Sequence, residues 1–160
     1  LFFLIFVGTV FLARSPEYDY LRLHIRANSN LSIDQNVKYE VKACVVEFLT
    51  PLFSTVKSKE DAVKIATKYS NQIKTKCDKV LKEKGFNYVS NVKINNEYFP
   101  TRTYENTTLE SGYYDAVVVE LGAAEGDNWW CVLFPNFCLI ETNDDVEYKS
   151  YFKELINKIF

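Results

Sequence analysis

Histidine occurs once in the 160 residues, glycine five times and proline four times, and these shortages remove classes of function. One imidazole, at His24, cannot build a multi-histidine metal centre and leaves a single candidate base. No Gly-x-Ser-x-Gly elbow offers it a serine. The sparse glycines make no phosphate cradle: Gly122-Ala123-Ala124-Glu125-Gly126 is too generic for a P-loop or a dinucleotide fingerprint, and there is no EF-hand loop. A basic excess is also missing. The formal net charge is -2, whereas nucleic-acid-binding domains normally carry strong positive charge. Internal repeats and low-complexity tracts are absent.

Long apolar runs are limited to Leu1 to Ala13, which is short of the roughly 20 residues that span a bilayer. The sequence does not open on methionine, so the run reads as the end of a longer leader. The expectation is a truncated signal peptide or N-terminal membrane anchor over residues 1–14, and a single α+β domain over residues 15–160 working outside the cytosol. Bulky Phe11 makes a cut after Ala13 unfavourable, and cleaved and anchored forms both stay open. Lysine crowds the stretch from Lys57 to Lys84, while the last third is acidic. A basic helix face reads as solvated surface, with contact to a membrane surface or an acidic partner as the alternative.

From Leu21 the chain alternates: Leu21, Leu23, Ile25 and Ala27 on one side, Arg22, His24, Arg26 and Asn28 on the other. This predicts a half-buried strand. Ser32-Ile33-Asp34-Gln35 offers a capping box, followed by apolar residues at helical spacing from Val37 to Leu52, with Pro51 in the last turn. Ser58 starts a second helix whose stripe runs from Ala62 to Leu81 and stops at Gly85. Strands are expected at 86–99, 113–121 and 129–134, with an irregular loop from Pro100 to Gly112. The short link between the last two strands predicts that they run antiparallel. An amphipathic helix from Tyr148 to Ile159 closes the chain. The fold class is therefore α+β: a mainly antiparallel sheet with a two-helix hairpin packed on one face and a C-terminal helix.

Four cysteines allow three complete pairings. If the helices turn back once near Ser54 to Lys57, Cys44 faces Thr67 and lies about ten residues, or ~15 Å, from Cys77. A disulfide needs Cα atoms within ~7 Å. Cys44 and Cys77 are accordingly expected as buried thiols, and Cys131 with Cys138 as the bond, Pro135 turning the chain between them. Cysteine spacings and one histidine supply no tetrahedral ligand set, so no metal and no cofactor are expected.

Aromatic density stands out instead. Tyr98, Phe99, Tyr104, Tyr113, Tyr114, Trp129 and Trp130 flank the 100–112 loop, with Arg102 among them. Tyr, Trp and Arg anchor protein interfaces; the plainer alternative is that all of these rings are core. Trp129 and Trp130 are consecutive in a strand and must point to opposite faces.

Three stretches, Leu21-Arg22-Leu23-His24-Ile25-Arg26-Ala27-Asn28-Ser29, Tyr98-Phe99-Pro100-Thr101-Arg102-Thr103-Tyr104, and Asn128 to Pro135 with Cys138, together resemble the stage II sporulation protein R family. The resemblance implies a signalling protein made in the forespore and secreted into the intermembrane space of the sporulation septum. There it would activate a membrane-embedded aspartic protease of the mother cell, which removes the pro-sequence of sigma factor E. The chain would be the ligand, and the family supplies no catalytic residues. On this reading Arg102, Tyr104, Asn128 and Trp129 or Trp130 form the surface that meets the protease. Two other classes compete: a secreted envelope hydrolase using His24, and a purely structural envelope protein.

Overall fold

The computed structural model describes residues 19–104 and 107–135. The expected leader and C-terminal helix lie outside the described residues. Within them the order is β1 (Leu21–Arg26), α1 (Ser32–Phe53), α2 (Lys59–Lys68), α3 (Ser70–Glu83), β2 (Ser90–Phe99), β3 (Arg102–Tyr104), β4 (Thr107–Leu109), β5 (Gly112–Leu121) and β6 (Asn128–Phe134). The class is α+β, as expected. No helix among the described residues is long and apolar enough to cross a membrane.

The main sheet has the order β2-β5-β1-β6. It is mixed rather than mainly antiparallel: β1 pairs in parallel with β5 and antiparallel with β6, and β2 pairs antiparallel with β5. The last two long strands do run in opposite directions, but β1 is inserted between them. That position buries β1 on both faces, so the half-buried strand of the sequence reading is corrected: Leu21 to Ile25 are all buried.

One sheet face carries the core. Leu21, Leu23, Ile25, Val117, Val119, Leu121, Trp129, Cys131 and Leu133 meet the stripe of α1 (Val37, Val41, Val45, Leu49) and residues Ala62, Ala66, Ile73, Cys77 and Leu81 of α2 and α3. At roughly 1.5–3 kcal/mol per large apolar side chain buried, this face supplies most of the favourable free energy of folding.

The second helix is two helices. Tyr69, with φ -101 and ψ 7, closes α2 and opens α3. Around it Thr67 bonds back to the Val63 carbonyl (2.8 Å) and Ser70 to the Thr67 carbonyl (2.9 Å), the local competition by which hydroxyl side chains bend helices. The break lets α3, rather than α2, pack along α1. Cys44 and Cys77 are unbonded thiols, as expected. Burial first, and then the charge of nearby Cys44, pushes the Cys77 thiol up. Both remain free thiols, Cys77 buried and Cys44 half-buried, the latter on a shallow groove of about 350 Å³ with Phe48, Pro51 and Leu52. The loop expected at 100–112 folds into the hairpin β3-β4.

The expected capping box is replaced by a wider polar knot. Leu31 is the N-cap of α1 and makes no side-chain cap bond; Gln35 instead donates to the Ser29 carbonyl at 2.9 Å. Buried Asp34 accepts from Ser29 Oγ (2.6 Å), the Tyr88 hydroxyl (2.6 Å) and Asn28 Nδ2 (2.8 Å). Asn28 Oδ1 takes the Ala123 amide (2.8 Å) and Asn30 Oδ1 the Asp127 amide (2.7 Å). The 27–30 and 122–127 segments are thereby zipped together at the end of the sheet. A Cβ on Gly126 would lie 2.3 Å from the Ser29 carbonyl oxygen, so only glycine lets the two backbones approach.

Two outcomes are expected. Gly126→Ala should lower unfolding stability by about 1 to 3 kcal/mol in urea titrations, as forced overpacking does. For Asp34, burial alone would raise the carboxyl, but its hydrogen bonds from Ser29, Tyr88 and Asn28 overcome this and hold it below the ordinary range. A depressed folded value stabilises fully above the unfolded aspartate pKa of about 3.9 and is lost as pH falls below it. Asp34→Asn should therefore be less stable at neutral pH and show a flatter acid limb in urea midpoints measured down to about pH 3.

Candidate functional site: the second face of the sheet

Because successive side chains in a strand alternate faces, committing Leu21, Leu23 and Ile25 to the helices sends Arg22, His24 and Arg26 to the opposite side. Register places Trp130 across from His24 and Asn128 across from Arg26 on β6. On the other flank β5 offers Ala116, Val118 and Glu120 beside Arg22, His24 and Arg26. The small Ala116 and Val118 leave room for Glu97 of β2 to reach over β5 to β1.

The result is a connected polar row. His24 Nδ1 lies 3.2 Å from Glu97 Oε2 and Nε2 lies 2.8 Å from Asn128 Oδ1. The imidazole stacks on Trp130, with centroids 5.4 Å apart and planes at 29°, and tilts against Phe99. Arg26 donates to Glu97 and, at 2.8 Å, to Glu120. Lys93 (2.8 Å) and Asn91 (3.0 Å) complete the shell of Glu120, whose carboxyl is held below its ordinary value first by the Lys93 hydrogen bond.

Towards the other end of β1 the row becomes aromatic. Arg22 is completely buried, its guanidinium 4.0 Å from the ring centre of Phe99, 4.8 Å from Tyr114 and 5.6 Å from Tyr104. It donates to the Tyr104 hydroxyl. Tyr104 belongs to the β3-β4 hairpin and packs with Leu109 and Val132, fastening the hairpin over this part of the sheet. From the same hairpin Arg102 stacks its guanidinium 4.1 Å above Trp130, a contact class contributing about 0.5–2 kcal/mol.

The residues expected to meet a partner therefore separate by depth. Arg102, Asn128 and Trp130 belong to this second face, with Asn128 exposed and the other two half-buried. Tyr104 is fully buried beneath them. Trp129 points the other way into the helical core, where the Lys42 ammonium lies 4.7 Å from its ring centre. Cys131 is buried in β6, and Cys138 lies outside the described residues. His24, read from sequence as a surface residue, is buried instead.

The imidazole of His24 is held on every side. Both ring nitrogens of His24 are taken by Glu97 and Asn128, and its ring contacts are Phe99 and Trp130; these contacts include no hydroxyl or thiol nucleophile. No group of three His, Cys, Asp or Glu side chains able to hold a metal ion occurs among the described residues. Arg22, Arg26 and Glu97 were missed as site residues. Arg22 and Arg26 carry a signal in the sequence, since they share the His24 side of the alternation; Glu97 sits in a strand whose polar residues give no such sign.

From residue 17 to residue 144 the sequence matches the family described as Stage II sporulation protein R. Stage II sporulation protein R of Bacillus subtilis (strain 168) is 32% identical over 130 residues, which cover 81% of this chain and 58% of that protein. The chain thus spans a little over half the length of this relative. No solved structure matches.

The histidine gives a direct check on this geometry. Burial lowers its pKa from 6.5, outweighing the Asn128 hydrogen bond and the Glu97 charge, which raise it. A histidine with a depressed folded value stabilises fully above the unfolded value of about 6.5 and loses that contribution as pH falls below it. Proton NMR should show His24 neutral at about pH 7 and titrating below 6.5. Glu97→Gln removes a raising charge and frees Arg26, so it should move the midpoint lower still.

Proposed function

The chain belongs to the stage II sporulation protein R family, and on that premise we propose that it is an exported signalling protein of sporulation whose second sheet face activates a membrane-embedded aspartic protease that processes pro-sigma factor E. The observation that carries this reading is a convergence. The three stretches that bear the family likeness contribute Arg22 and His24, then Phe99, Arg102 and Tyr104, then Asn128 and Trp130 to one face. Residues separate in sequence are brought together there without a nucleophile against His24, which favours a ligand over a hydrolase.

In this reading Arg102, Asn128 and Trp130 contact the protease on the outer side of the mother-cell membrane, while Tyr104 and Trp129 hold the contact surface from beneath. The domain leaves the forespore through its apolar leader and works in the intermembrane space, either released or still anchored. There the oxidising side of the membrane allows Cys131 and Cys138 to join. Docking activates the protease only to the extent that the active form is bound more tightly than the inactive one; each tenfold difference corresponds to about 1.4 kcal/mol.

Co-expression of the chain, the protease and the sigma-factor precursor in a non-sporulating host should yield processed sigma factor only when the chain is exported. Replacing Arg102 and Asn128 together by alanine should cut processing per secreted, folded molecule at least ~10-fold, a loss of about 1.4 kcal/mol in coupling, while the lost Trp130 stacking and His24 hydrogen bond lower the unfolding midpoint without preventing folding. Full processing by this folded double variant would remove the face from consideration. His24→Gln tests the hydrolase alternative, since activation by a ligand survives this change and histidine catalysis does not.

A further inference from the structure

β2 ends the main sheet on one side, and among the described residues no strand pairs with its outer edge. Residues of an antiparallel strand alternate, one sending both backbone groups to its neighbour and the next sending both away. Two bonds fix the parity here. The Val89 carbonyl accepts from the Gly122 amide on the β5 side at 3.1 Å, whereas the Ser90 amide is turned away and donates to Asp78 Oδ1 of α3 at 2.7 Å. Val92, Ile94, Asn96 and Tyr98 therefore also direct their N–H and C=O groups outward. Asp78 closes this row at one end; Pro100, which has no N–H, closes it at the other.

Exposed edges are ordinarily blunted by a bulge, a proline or an outward lysine. β2 keeps unbroken register with β5 along its whole length, contains no proline, and its single lysine, Lys93, is drawn to Glu120 at 2.8 Å. The open stretch also carries exposed Tyr98, its ring centre 5.6 Å from that of exposed Tyr113. An edge this long and this open is a template for another strand.

We propose that the outer edge of β2 is a pairing surface and that its occupant is β2 of a second copy of this chain, running antiparallel about a twofold axis at Asn95. Self-complementarity selects this occupant. An axis at Asn95 sets residues equidistant from it opposite one another, so that Val92 meets Tyr98, Ile94 meets Asn96, and all four open positions of each copy bond to the other. Moving the axis to Ile94 or Asn96 leaves one of the four facing the capped Ser90 or Pro100. On the polar side the same register sets Lys93 opposite Glu97 of the second copy, where an axis at either residue would oppose like charges. On the helical side it sets Val92 against Tyr98, a favourable β-branched and aromatic pair. The axis is perpendicular to the sheet, so the two four-stranded sheets continue as one, and Arg102, Asn128 and Trp130 of both copies face the same way. The pairing rests on the fold alone and does not depend on the signalling role proposed above.

The test uses the full chain, kept dispersed in a density-matched detergent. Sedimentation equilibrium from low-micromolar to submillimolar concentration should show a reversible doubling of mass. Asn95 is exposed and stands opposite itself, so Asn95→Lys brings two ammonium groups face to face. It should weaken association roughly 5-fold or more, as opposed like charges do, with the unfolding midpoint unchanged. Register is read by oxidative cross-linking. Cα atoms of a pair not joined by backbone bonds lie about 4.5 Å apart, within reach of a disulfide, so Asn95→Cys should link two copies well above the background of the parent chain with its own four cysteines. Asn91→Cys, also exposed but remote from the axis, should not. A wild-type chain that stays monomeric throughout would overturn the self-pairing and leave the edge to a strand of another protein. A dimer that survives Asn95→Lys unweakened, or that cross-links as readily at position 91 as at position 95, would place the contact elsewhere and overturn it equally.

Discussion

The structure turns on the placement of β1 between β5 and β6. A central strand has no solvent-facing side unless its sheet does, and this strand carries Arg22, His24 and Arg26 on the side away from the helices. Water cannot satisfy these groups where they are buried, so neighbouring elements must. Glu97 reaches across β5, Asn128 comes from β6, and the β3-β4 hairpin folds over to bring Tyr104 to Arg22. A polar group left bare in such a place costs about 1–3 kcal/mol, and a charge costs more. The positions of the hairpin and of Glu97 are therefore consequences of one inserted strand.

The helical half of the fold was legible because helix burial repeats locally. Val37, Val41, Val45 and Leu49, and then Ala62, Ala66, Ile73, Cys77 and Leu81, were marked by their spacing alone and are all buried. The break at Tyr69 was not, because the apolar stripe passes through it unbroken; the sign was the cluster of Thr67, Ser70 and Asn71 around Tyr69, which the periodicity overrode. Topology was less legible still. A short connection fixes relative direction but not adjacency, so the antiparallel sense of β5 and β6 could be read and the insertion of β1 could not.

The site divided along the same line. Strand parity alone assigns Trp129 and Trp130 to opposite faces. It also groups Arg22, His24 and Arg26, but charge on a strand normally means water, and that rule gave the wrong depth for His24. Burial here is set by residues more than 70 positions away, which no local pattern contains. Tyr104 shows the same limit: among aromatics beside a loop it reads as an interface anchor, and only the hairpin reveals that it faces inward.

The two faces of the sheet thus rest on different physics. On the helical face stability comes from area, which is non-directional, so a change of side chain costs according to the volume it removes from the core. On the other face it comes from geometry: a guanidinium shared by two carboxylates, an imidazole held at both nitrogens, and a ring stacked under Arg102. Such interactions contribute little net free energy once desolvation is subtracted, yet each fixes the direction of its partner. A surface meant to be recognised needs its groups held in place before the encounter, since ordering them afterwards reduces the affinity. Area burial by the helices supplies the stability that this arrangement does not. The polar face is then free to be specified by orientation, and groups held in place in advance are what the proposed role as a signalling ligand would require.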